Sequence, residues 1–141
     1  MDPWIVGSIE CERREDVPSG AVSVVRLVGE HDLTSVVEVR SALRDVADGD
    51  GLIVDLGECV FLDSSVIGAL LHARRDRPAF AVVLPADPEA VVVRALHVTG
   101  VDAFLSCCAS LDEARRVVAG PRQPAVDGDR DGADGADGNG S

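Results

Sequence analysis

Asp63, Ser64 and Ser65 stand together inside the run FLDSSVIGALL, Phe61 to Leu71. An apolar stretch breaks there at an acid and two hydroxyls, then resumes with apolar residues at helical spacing. One side chain is enough to cap a helix. Asp63 suits that task, because its carboxylate accepts from the free N–H groups of the first turn and faces the helix dipole favourably. Ser64 then falls at the first helical position, with a hydroxyl near solvent that capping does not need. Ser65 faces the next direction round the helix and can bond locally. Redundant capping is one reading of the pair; a serine meant to be modified or to react is the other. These residues alone leave both open.

A phosphate on Ser64 would add about −1.5 to −2 charges and three acceptor oxygens. The free N–H groups and the dipole of a helix start tolerate an anion, so the helix need not melt. Asp63, and Asp32 if its loop lies alongside, would oppose the new charge. The expected result is a changed binding face on an unchanged fold. As a nucleophile Ser64 is poorly equipped. It lacks a G-x-S-x-G elbow, and His31, His72 and His97 each lie in a segment with another explanation. His72 sits on an amphipathic helix past the junction, and His97 lies in an apolar run, as a core-edge residue would. His31 is the one closest to the junction in motif terms.

No other residue set points to catalysis, to a cofactor or to a metal. Cys11, Cys59, Cys107 and Cys108 form no C-x-x-C pair and have no metal-ligand spacing to a histidine. Cys107 and Cys108 point to opposite faces if they lie on a strand. Reduced thiols acting as small hydrophobes is the expectation. The net charge of −12 repels nucleic acid and anionic membrane surfaces, and few aromatics are present to stack bases. Every basic residue is Arg. Arg74, Arg75 and Arg77 make a basic cluster, expected to be a solvated helix end where cations offset the dipole. MDPWIVGSIE carries an acid where a signal peptide needs positive charge, and no apolar run is long enough to span a bilayer. A cytoplasmic protein without a membrane partner is expected.

The elements that must position the junction alternate. The 141 residues suffice for one domain with an aliphatic core, 46% of the chain being apolar. Ala21–Val28, Gly51–Leu56, Phe80–Pro85 and Ala103–Cys108 read as buried strands, with a further strand over Ile5–Cys11. Val36, Val39, Leu43 and Val46 mark a helix with a capping box at Ser35 and Glu38 and a stop at Gly49. A helix follows Asp63. Another is capped by Asp87 and runs to about Gly100, and a last one starts at the Ser110–Glu113 box and stops at Gly120-Pro121. Residues 121–141 repeat Asp-Gly units, lack the ligand spacing of a calcium loop, and cannot bury enough surface to offset ordering entropy. The expected organisation is a folded domain over 1–120, with its core in 21–119, and a disordered acidic tail. The fold class is α/β: a small mixed sheet with helices mainly on one face. In such sheets function gathers where strand C-termini meet helix N-termini, and FLDSS lies at such a junction.

Three segments in order, VVRLVGEHDL, LIVDLGECVFLDSSVIGALL and DPEAVVVRALHVTGVDAFL, resemble the STAS domain of bacterial anti-sigma-factor antagonists. The likeness spans roughly Ala21 to Ala119, and rests on the Gly-Glu-x-Asp turn, the Asp-Ser-Ser junction and the late Thr-Gly. It implies a domain of about four strands and as many helices that works by binding and has no catalytic activity of its own. The implied partner is an anti-sigma factor that is also a serine kinase. Unphosphorylated, the domain occupies the kinase and frees the sigma factor; phosphorylation of the serine after the motif acid ends this, and a phosphatase restores it. By that resemblance Ser64 is the phosphorylated residue, Asp63 the motif acid, and Asp32 the loop acid beside the site. Ser65, Val66 and His31 complete the implied switch surface. Val66 stands where the family usually has Gly, which would make the helix surface beside Ser64 bulkier. The HARRDRPAF connection is short, and the acidic tail is additional. A second reading is a STAS module that binds small ligands or scaffolds a signalling assembly, with Ser64 as a cap only. A third, serine hydrolase, predicts labelling by a fluorophosphonate probe.

Overall fold

The computed structural model describes residues 7–17 and 20–119. The Asp-Gly tail, residues 121–141, and the start of the Ile5–Cys11 strand lie outside them. Six strands and four helices follow in the order β1 (Ser8–Val17), β2 (Gly20–His31), α1 (Val36–Arg44), β3 (Gly51–Asp55), β4 (Cys59–Leu62), α2 (Ser64–Asp76), β5 (Phe80–Val83), α3 (Val91–Val98), β6 (Cys107–Cys108) and α4 (Leu111–Ala119). The sheet runs β1-β2-β3-β5-β6, antiparallel between β1 and β2 and parallel elsewhere.

Valine-rich strands with a period of two divide the core. Val25, Leu27, Leu52, Val54, Phe80 and Val82 face α1, α2 and α3. Their neighbours Val22, Val24, Ile53, Ala81 and Val83 face α4 through Ala114 and Val118. Both faces are covered, so the central strands are apolar throughout and read as continuous runs. Three helices lie on one face and one on the other, as the α/β reading requires. Cys107 packs toward the first cluster and Cys108 sits in the second, on opposite faces of their short strand.

β2 is the element that builds the site. Its first half pairs with β3, Val22↔Gly51 to Arg26↔Asp55, and its last residues pair with β4, Glu30↔Phe61 and His31↔Leu62. The change of partner falls at Gly29, whose φ of +84° only glycine adopts without strain. The sequence pattern merged β4 into the junction after β3. The strand pairing shows instead a separate strand, and it fixes where Asp63 emerges.

Several expected boundaries move. Ser35 forms no cap bond at α1; its hydroxyl donates to the Asp32 carbonyl, 3.2 Å away. That helix ends at Arg44, well before Gly49, which takes its positive φ in the following loop. Asp87 folds a turn, accepting from the Glu89 and Ala90 N–H groups, and α3 starts only at Val91. Of the strand expected over Ala103–Cys108 only Cys107–Cys108 pair; the end of a 3-10 turn, Val101–Phe104, and two turn residues occupy the rest. The Ser110–Glu113 cap does form, Ser110 Oγ accepting from Glu113 N and Glu113 Oε1 from Ala109 N. Arg77 is no solvated helix end: its guanidinium donates to the carbonyls of Val46, Ala47 and Asp50 and pins the α1–β3 loop.

Candidate functional site

The β2–β4 pairing delivers Asp32 and Asp63 to one end of the sheet, each one residue past a paired strand position, His31↔Leu62. Asp63 N–H donates to the His31 carbonyl at 3.2 Å and continues that ladder. Asp63 is extended, with φ −100° and ψ 178°, and α2 begins at the next residue. Its Oδ1 accepts from Ser65 N at 3.1 Å and Val66 N at 3.2 Å, the cap expected of it.

The two serines part company here. Ser65 Oγ donates to Asp63 Oδ1 at 2.6 Å and is half-buried. Ser64 is exposed, and among the described residues its hydroxyl has no hydrogen-bond partner. A free hydroxyl on the first residue of a helix is open to whatever approaches from solvent. Ser65 is held back by its bond to the cap.

Asp32 is half-exposed and locked by its own turn, Oδ1 accepting from Thr34 Oγ1 at 2.6 Å and Thr34 N at 2.9 Å. The Thr34 hydroxyl, then its N–H, hold this carboxyl below the usual carboxylate range. It is therefore a fixed negative charge at the site's edge. Three large apolar side chains on the elements that meet here are exposed: Leu33 at 69%, Val37 at 70% and Phe61 at 37%. Sequence reading missed these three as site residues. The signal was present in Leu33, an apolar residue inside a polar turn.

Two residues expected on the surface are beneath it. His31 is 1% exposed. Its Nε2 lies 3.0 Å from the Ser8 carbonyl and 3.1 Å from that of Val28, and its Nδ1 is 3.2 Å from Ser35 Oγ. With both ring nitrogens occupied it ties β1 to the start of α1 and offers nothing to a partner. Gly7 passes so near that a Cβ there would stand 2.1 Å from the Glu30 carbonyl oxygen and 2.8 Å from His31 Nε2. Val66 is fully buried, so its bulk fills the core and leaves the helix surface beside Ser64 unchanged. His72 bonds Arg75, and His97 is exposed and pairs with the half-buried Asp102, away from the core edge expected for it. No histidine bonds Ser64 among the described residues. No cluster of metal-ligating side chains occurs among the described residues, and no helix there is long and apolar enough to cross a membrane.

The family model described as "Mlab, STAS domain" matches residues 17–107. An anti-sigma factor antagonist from Mycobacterium paratuberculosis shares 26% identity with this chain, at a TM-score of 0.67, covering 80% of this chain and 94% of its own. The anti-sigma factor antagonist SpoIIAA in its unphosphorylated form shares 23% identity, at a TM-score of 0.54, over 82% of this chain and all of its own. At that identity the second likeness establishes a common fold. No curated protein sequence matches the chain.

Proposed function

Because the chain belongs to the STAS domain family, we propose that it is an anti-sigma-factor antagonist switched by phosphorylation of Ser64. Unphosphorylated, it occupies an anti-sigma factor that has serine-kinase activity, and the sigma factor is freed. Transfer of a phosphoryl group to Ser64 Oγ ends the complex, and a phosphatase restores it. The chain acts in the cytoplasm by binding, without chemistry of its own, and contacts neither nucleic acid nor membrane directly. The role named for the Mycobacterium structure supports this reading.

The observation that carries it is the unengaged Ser64 hydroxyl, exposed beside a neighbour whose hydroxyl is taken. The apolar rim of Leu33, Val37 and Phe61 gives a partner surface to bury. A phosphate dianion brought into such a contact loses hydration without gaining a counter-charge, since Asp32 and Asp63 flank it. Binding is lost while the domain stays folded.

A pull-down from native cell extract supplies the kinase. Incubation with it and ATP, followed by mass spectrometry, tests the site. Phosphate on Ser64 alone is the expected result. Ser64→Ala should still bind and resist modification, and Ser64→Glu should bind weakly. Label elsewhere, or none from a kinase that binds, overturns the reading.

A further inference from the structure

Toward the end of α2 remote from Ser64, residues of α1, α2 and the loops that follow them line a cavity of about 540 Å³. That size falls within the roughly 300–1,000 Å³ of small-molecule sites. The floor is apolar, made by the buried Leu43 and Ala69 and the half-buried Ala73.

Its polar groups divide into engaged and free. Arg77 is committed to three backbone carbonyls. Asp50 is turned away, its Oδ2 accepting from Arg13 Nε at 2.7 Å and Ser23 Oγ at 3.1 Å. Arg40 and Arg44 lie one turn apart on α1, exposed, with no hydrogen-bond or ion-pair partner among the described residues. Two unpaired guanidiniums side by side are unexpected in a chain of net charge −12. Opposite them His72 uses Nδ1 toward Arg75, leaving Nε2 open. Asp48 and Asp76 stand on the rim, also without partners among the described residues.

We propose that this cavity binds a small amphiphile, with an aliphatic body on Leu43, Ala69 and Ala73 and a terminal oxyanion held by Arg40 and Arg44. Guanidinium forks match the planar geometry of a carboxylate or the oxygens of a phosphate. The rim acids cancel most of the attraction for a bare anion, so the apolar body is required for affinity. Along α2 the lining runs from Ala69 to Asp76, about 8 to 18 Å from Ser64 at 1.5 Å per helical residue, and leaves the start of the helix free for a protein partner.

The test is an NMR titration of the full chain with butyl, pentyl and hexyl phosphate, the corresponding alkanoates, and inorganic phosphate. Saturable amide shifts are expected around Arg44, His72 and Ala73. Affinity should rise about fourfold per added methylene. Saturation by the phosphates, the carboxylates or both supports the site and identifies the head group. The double variant R40Q/R44Q, altered only at exposed positions, should keep its spectrum and bind about tenfold or more weakly. Ser64→Ala should bind unchanged, which separates this site from the switch. The proposal is overturned by shifts that never saturate, by binding that survives R40Q/R44Q, or by inorganic phosphate binding as well as hexyl phosphate.

Discussion

Ser65 Oγ donates to Asp63 Oδ1 at 2.6 Å, while the hydroxyl of the preceding serine is exposed and unbonded. Two adjacent serines that look alike in sequence are thus unlike in structure. The difference can be measured without any partner. Ser65→Ala should cost about 1 kcal/mol of stability, the scale of a lost local hydrogen bond. Ser64→Ala should stay within about 0.5 kcal/mol of wild type in urea denaturation.

Asp63→Ala removes the acceptor for the Ser65 and Val66 N–H groups together with the Ser65 hydroxyl. A loss of about 1–2 kcal/mol follows, seen as a lower melting temperature by several degrees. Asp63→Asn should keep most of the wild-type stability, because an amide oxygen still caps.

His31→Ala empties a buried ring that engages the Ser8 and Val28 carbonyls and the Ser35 hydroxyl. We expect a loss of roughly 2–3 kcal/mol from the unpaired buried groups. Hydrogen exchange should show the effect concentrated on β1 and the start of α1. An effect confined to partner binding, with stability unchanged, would contradict the buried role.

Arg13 donates to both oxygens of the buried Asp50. This bond holds the Asp50 carboxyl below its ordinary value, against the upward push of burial. A depressed carboxyl contributes stability that is complete above the unfolded value of about 3.9 and is lost as pH falls through the folded one. Wild type should therefore exceed Arg13→Ala in stability at neutral pH. The gap should narrow steadily in urea titrations taken below pH 4.

Burial pushes the Cys59 and Cys107 thiols up to about 11, and raises Cys108 as well, whereas Cys11 is exposed on β1. The thiolate is the reactive form. One of the four cysteines should label with iodoacetamide at neutral pH in the native protein, and all four after unfolding. Loss of native labelling in Cys11→Ser identifies it.

The alternation of valine-rich strands with amphipathic helices, the Asp63 cap and the suspicion attached to Ser64 were all legible in the chain, because each depends on local spacing. Periods of 2 and 3.6 residues, and an acid before a helix, act within one turn or one strand pair. The burial of His31 and Val66, and the engagement of Arg77, were not legible. Those outcomes depend on contacts between distant residues: His31 is covered where β1 packs against the end of β2, and Arg77 reaches carbonyls some thirty positions away. Local pattern determined which residues make helices and strands. Long-range packing decided which of those side chains are covered, since only the assembled sheet sets which side of each residue faces the core.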